Sequence, residues 1–243
     1  MSRLMNDIII AFSKGRLPFA FCLLLSAFCL LPTAAHAQTI ADKAVASVTN
    51  GSRATPDLIT YSDLVWQLAL EPATPFAEKP SSENLNRALR LLEDQVLVVQ
   101  EARKLPSADT PEALKDRDEE VKKRRDELAK LMGSAAHLQE RMTRVGLTGE
   151  QLDSILRDRV LMDKYFDFRF RAFVVIADKE LTDRYNETYA RARNGGRIVP
   201  TFEEVRSRIY DELRNAKIAA EIDAFVDYLR EQPATEIVIL SRV

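Results

Sequence analysis

Apolar residues between Ser82 and Lys104 recur at three- and four-residue steps, at Leu85, Ala88, Leu89, Leu92, Val96 and Val99, along one face of a helix. The spacing returns near the end of the chain in Phe202, Val205, Ile209, Leu213, Ala216, Ala220 and Leu229. Stripes of this kind must be buried against other helices or a small sheet. Glycine is scarce, with seven in 243 residues and six of those after residue 37. That argues against an all-β or Rossmann-like fold, which needs many tight turns. The expected fold class is mainly α.

The first 37 residues read differently. Lys14 and Arg16 form a positive flank, Leu17 to Leu31 is an almost unbroken apolar run, and Pro32 precedes Ala35-His36-Ala37. This is the pattern of a secretory signal with cleavage after Ala37. The alternative is a retained anchor, but the run is 15 residues long and a spanning helix needs about 20. Nothing later is apolar enough to cross a bilayer, so no stable membrane insertion is expected after cleavage, and the location is expected to be periplasmic. Both cysteines, Cys22 and Cys29, fall in the signal, preceded by Phe21 and Phe28 rather than the small residue that lipid attachment wants. The mature chain, 38–243, has no thiol for disulfides, metal sites or nucleophiles. Taking Arg3, Lys14, Arg16 and Asp7 from the 35 basic and 37 acidic residues leaves 32 and 36, a net charge of −4. That balance does not suggest a nucleic-acid partner.

Along the mature chain, residues 44–50 alternate as a strand, Asn50-Gly51 is a turn, and Leu58-Ile59-Thr60 could return. Thr60 and Asp63 form a capping box for a helix through Leu70. Pro72, Pro75 and Pro80 punctuate a loop, a helix runs from about Ser82 to Lys104, and Pro106 stops it. Thr110-Pro111 opens a polar helix to about Met132. Of the 19 residues from Glu112 to Lys130, 14 are charged, many in acid-first pairs four apart. Its thin stripe (Leu114, Val121, Leu128, Leu131, Met132) predicts an arm with one edge covered, or simply a solvated face. Ser134 starts a short helix ending at Gly146, Thr148 and Gln151 open the next, spanning 149–171, and Asp178 is the expected cap of another. Gly195-Gly196 interrupts. Thr201 and Glu204 open a closing helix over 201–231, and 235–241 reads as a terminal strand. N- and C-terminal strands are expected to pair in one small sheet that closes a single domain.

The chemistry is mostly absent. His137 is the single histidine of the mature chain, so a histidine metal cluster is excluded and a triad has nothing to suggest it. There is no GxGxxG, Walker loop or HExxH, and the carboxylates alternate with Lys and Arg. No catalytic residue, metal site or cofactor is expected, and the chain is not expected to be an enzyme. What remains is a concentration of rings: Tyr165, Phe166, Phe168, Phe170 and Phe173 are five of the mature chain's 14 aromatics, in nine residues. They are either core or an open apolar wall for extended peptides, with Trp66 as a further candidate. At 100° per residue, Phe166, Phe168 and Phe170 spread over more than half of a helix. They must be buried on two sides or left partly open.

The order of elements resembles SurA-type periplasmic chaperones. Val45-Ala46-Ser47-Val48-Thr49-Asn50-Gly51 followed by Ile59-Thr60-Tyr61-Ser62-Asp63-Leu64 looks like that family's opening. The helix Leu85 to Ala102 is similar to its L-x-x-L-I-x-x-x-L-x-x-x-E-A. Val175 to Tyr185 resembles I-x-V-S-D-E-E-L-x-x-Y-Y, and Phe202-Glu203-Glu204-Val205-Arg206-Ser207-Arg208-Ile209 resembles the start of the closing helix. The likeness covers nearly all of 44–241. In that family a parvulin-type prolyl isomerase domain of roughly 100 residues separates the last two motifs, whereas here only Arg191 to Pro200 does. The resemblance therefore implies the binding half, a helical domain that holds unfolded or partly folded exported polypeptides, outer-membrane proteins among them, without the isomerase module. Clients would contact Trp66, Tyr165, Phe166, Phe168, Phe170 and Phe173. A homodimer is compatible with this reading. The competing readings are an adaptor that holds one folded partner through the charged helix and, disfavoured by the missing domain, a residual isomerase.

Overall fold

Six of the seven α-helices among the described residues open on a Ser or Thr whose side-chain oxygen accepts a backbone N–H of the first turn. This satisfies one of the four N–H groups that every helix start leaves unpaired. The computed structural model describes residues 42–72, 74, 75, 77, 79–105 and 110–243, with Arg191 described by its backbone only. The signal segment with Cys22, Cys29 and Ala37, and the expected stop at Pro106, lie outside them.

Strand β1 (Ala44–Thr49) is followed by β2 (Asp57–Thr60) and by helices α1 (Tyr61–Ala69), α2 (Ser82–Ala102), α3 (Pro111–Leu131), α4 (Ala135–Arg144) and α5 (Gly149–Phe166). A π-helical segment (Asp167–Arg171) extends α5, and α6 (Asp178–Asn194), α7 (Phe202–Arg230) and β3 (Glu236–Ile239) complete the order. The fold is mainly helical with one small antiparallel sheet, in the order β2-β1-β3, built from both ends of the described chain. Val48 sits opposite Asp57 on one side and Ile237 on the other. Gly51 follows β1 at φ +74° and lies so close to Ala234 that an added Cβ would come within 2.9 Å of that residue's own Cβ. Glycine is therefore required where the first turn meets the entry to β3.

Full capping boxes form at Thr60/Asp63, Thr148/Gln151 and Thr201/Glu204. The expected cap at Asp178 differs. Asp178 is the first helical residue and pairs with Arg206 at 2.8 Å, while Glu180 reaches back to the Ala177 N–H at 2.8 Å. A carboxylate three positions into the helix has taken the back-bond, and the Asp178 side chain is left for the neighbouring helix.

Three apolar clusters hold the described chain. The largest joins Val45, Ala46, Val48 and Ile59 of the sheet to Leu89, Leu97 and Val98 of α2, to Leu161 and Tyr165 of α5, and to Phe225 and Leu229 of α7. A second joins Val121, Leu128, Met142, Leu152 and Leu156 where α3, α4 and α5 meet. A third, smaller one joins Ile176 and Leu181 to Val205 and Ile209, so the first half of α7 packs on α6 and the second half on the main core.

The charged helix α3 is bound to α5 along its length. Asp118 pairs with Arg157 at 2.8 Å, Arg124 with Asp163 at 2.7 Å, and Arg125 with Asp153. Val121, Leu128 and Met132 of its stripe are buried, but Leu114 and Leu131 are exposed. The covered edge is narrower than the stripe, since Leu114 and Leu131 lie to the side of the line Arg117, Val121, Leu128 that is buried.

A buried polar staple joins α2 to the sheet. Gln100, only 2% exposed, accepts the Asn50 N–H at 2.8 Å and donates to the Val48 carbonyl at 3.0 Å and the Asp57 carboxylate at 2.8 Å. Truncating it leaves a buried N–H and a strand carbonyl without partners, a loss of about 1–3 kcal/mol for each such group. Gln100→Ala is therefore expected to lower unfolding stability by about 2–4 kcal/mol in urea denaturation, and an unchanged midpoint would contradict the staple.

Candidate functional site

At Asp167 the helix begun at Thr148 widens into a π turn that lasts to Arg171. The expectation of one regular helix over 149–171 is corrected here. π turns are rare and concentrate at functional sites. Across this one the aromatic run divides between two environments, with Phe166 and Phe170 on one face and Phe168 on the other. Tyr165 is buried, its ring 5.9 Å from that of Phe225. Phe166 and Phe170, four residues apart with rings 6.1 Å from each other, are half-buried against the main core, and Phe170 lies 5.5 Å from Phe225. Phe168 points away and is 66% exposed, and Phe173 just beyond the turn is 73% exposed. The rings are thus buried on one side and open on the other.

The candidates do not form one wall. Trp66 packs into the second cluster, and its indole N–H donates to the Val145 carbonyl at 3.0 Å; it is not among the residues lining the hollows described below. Tyr165 has its ring in the core, where burial raises its phenol pKa and the nearby Arg169 offsets only part of that rise. Phe168, Phe170 and Phe173 do come together. With Val174, Val175 and, from α7, Ala220, they line an open hollow of about 760 Å³ at the boundary of the first and third clusters. Phe168 also lines a second hollow of about 410 Å³, with Leu105, Ala113, Leu161 and Tyr165. One exposed ring is therefore the ridge between two apolar depressions.

Charge surrounds the larger hollow. Arg169 lies 4.5 Å from the Phe225 ring centroid and 5.7 Å from that of Phe170. Lys217 pairs with Glu180 at 2.7 Å and reaches the Val175 carbonyl at 3.2 Å. Hydrogen bonds from Lys217 and from the Ala177 N–H hold the Glu180 carboxyl below its ordinary range. Arg214 donates to the Arg171 carbonyl at 2.9 Å. Sequence reasoning missed Arg169, Val175, Lys217 and Ala220. Val175 and Ala220 had been read only as parts of a motif and a helix stripe. Arg169 sat in plain view, between Phe168 and Phe170.

No group of three or more His, Cys, Asp or Glu side chains is placed to hold a metal ion among the described residues, and no described helix is long and apolar enough to cross a membrane. His137 lies exposed on α4, its backbone N–H donating to Ser134 Oγ at 3.1 Å. The chain matches no protein-family model, and comparison with curated proteins gives no match.

The two faces of the π turn should respond differently to substitution. Phe168→Ser removes a ring that is mostly in water and should change stability by less than about 0.5 kcal/mol. Phe170→Ser opens a gap beside Phe225 and should cost about 2–4 kcal/mol. Equal effects in thermal or urea denaturation would contradict this division.

Proposed function

We propose that the mature chain is an ATP-independent holdase of the exported compartment, resembling the binding half of SurA-type chaperones and lacking an isomerase module. It holds unfolded or partly folded exported polypeptides, outer-membrane proteins among them, and performs no catalysis. The observation that carries the reading is the open aromatic hollow beside the π turn. Phe168, Phe173 and Val175 are left largely in water around one concave hollow, whereas other exposed apolar side chains, such as Leu58, Leu131 and Ile198, do not line it. Contiguous exposed apolar surface of this kind marks binding sites. The signal pattern of residues 1–37 supports a periplasmic location, and the order of the sequence motifs supports the family likeness. A binder without a nucleotide cycle must release its client by ordinary dissociation, which suits a shallow groove with a charged rim.

An adaptor working through the charged helix has less to draw on. Asp118, Arg124 and Arg125 of α3 are already engaged with α5, so much of that helix's charge acts within the chain.

The test is light scattering of a chemically denatured outer-membrane protein diluted into buffer, with and without residues 38–243. Suppression of aggregation at near-stoichiometric ratios is expected, and Phe168→Ser with Phe173→Ser should remove most of it while leaving the circular dichroism spectrum intact. No suppression by the folded protein would overturn the holdase reading and favour a single folded partner.

A further inference from the structure

Arg169 is the cation of the aromatic hollow that has no carboxylate partner among the described residues. Its guanidinium lies over Phe225 and near Phe170 and engages the Tyr165 hydroxyl on one side, an arrangement in which a planar cation rests against ring faces and keeps further edge N–H groups for a ligand. Other cations nearby are engaged. Arg171 pairs with Asp167, and Lys217 with Glu180. Among the described residues no carboxylate pairs with Arg169. Glu221, the one acid lining the hollow, forms no ion pair with it, and Asp167 is taken by Arg171. The hollow therefore presents an apolar floor (Phe170, Val174, Ala220) beside a stacked guanidinium that Tyr165 engages from the core side and that has no carboxylate partner among the described residues.

We infer that this hollow selects apolar segments that carry an acidic side chain, with Arg169 receiving the carboxylate while the neighbouring apolar side chains of the client occupy the floor. The inference rests on the holdase reading and names its client class. A guanidinium fixed on a ring accepts a carboxylate in the two-point, coplanar geometry that gives Arg its advantage over Lys, and part of the ordering cost is met before the client arrives. The hollow is an open trough rather than an enclosed socket, which fits a chain passing through, so the carboxylate is that of an internal Asp or Glu.

The test uses three fluorescein-labelled peptides with the same Phe/Leu/Val core. The first has an internal Glu beside the core and an amidated end, the second has Gln in its place, and the third has Gln and a free C-terminal carboxylate. Fluorescence anisotropy with residues 38–243 should give binding of the Glu peptide about five- to tenfold tighter than the Gln peptide, roughly 1–1.4 kcal/mol. Arg169→Gln should bring the two within about twofold, and Arg169→Lys should retain only part of the preference. If Arg169→Gln loses structure, Arg169→Met keeps an apolar stem over Phe225 and should equally abolish the preference. Equal affinities for the wild type, or a preference that survives Arg169→Gln, would overturn the inference. So would tighter binding of the free-carboxylate peptide, which would assign the site to chain ends. If both amidated peptides bind equally and Phe168→Ser abolishes both, the holdase reading stands and the role of Arg169 falls. If no peptide binds, both fall.

Discussion

Strand β1 is paired on both edges, and the arrangement of the rest follows from that. One neighbour, β2, comes from the next dozen residues and the other, β3, from residues 236–239, so the sheet forms only when the two ends of the described chain meet. Gln100 fastens the sheet to α2. Arg230, at the end of α7, fastens that helix to the same α2 through Asp94 at 2.6 Å and the buried Glu93 at 3.1 Å. With α7 anchored at its C-terminal end, the 29-residue helix, about 43 Å long at 1.5 Å per residue, must extend well beyond the main core. Its first half then needs a partner of its own, which is α6.

The hollow is a consequence of this division. One apolar cluster ends near Phe225 and another begins near Leu213, and the stretch of α7 between them exposes Ala216, Ala219 and Ala220. The π turn faces that stretch. Phe168, two residues from both Phe166 and Phe170, lies on the opposite face of the segment, so one ring is left in solvent while two remain against the core. An opening between clusters can stay apolar without destabilising them, since each closes on its own contacts. The holdase proposal draws on this separation: Phe168 and Phe173, the rings most exposed to a client, lie outside the three clusters, while Phe170 and Val174 of the floor are held by them.

Much of the fold was legible because it rests on local rules. Hydroxyls ahead of helices, with Asp, Gln or Glu three residues on, marked α1, α5 and α7 to within a residue of their starts, and alternation marked β1 and β2. The Asp178 cap was misplaced because two carboxylates competed for the same short segment, and only the packing of α6 on α7 decided between them. The candidate site was legible in part. The count of rings pointed to 165–173, and their angular spread indicated that they could not share one face. A pattern read at 100° per residue puts Phe166 and Phe170 on one face and Phe168 opposite, but it does not mark the π turn and does not say which face meets the core. The other wall, from α7, lies some fifty residues away in sequence. Trp66 lies far from the ring cluster in sequence, and its half-buried position against Val145 depends on how α1 meets the end of α4.

The central claim is that unfolded chains are held at the hollow between the π turn and the middle of α7. Hydrogen–deuterium exchange of residues 38–243, with and without a saturating denatured outer-membrane protein, addresses it directly. The account predicts that slowed exchange on binding concentrates in residues 166–176 and 214–222, with the sheet and α3 unchanged. Protection confined to the outer edges of β2 and β3, or to α3, would contradict it.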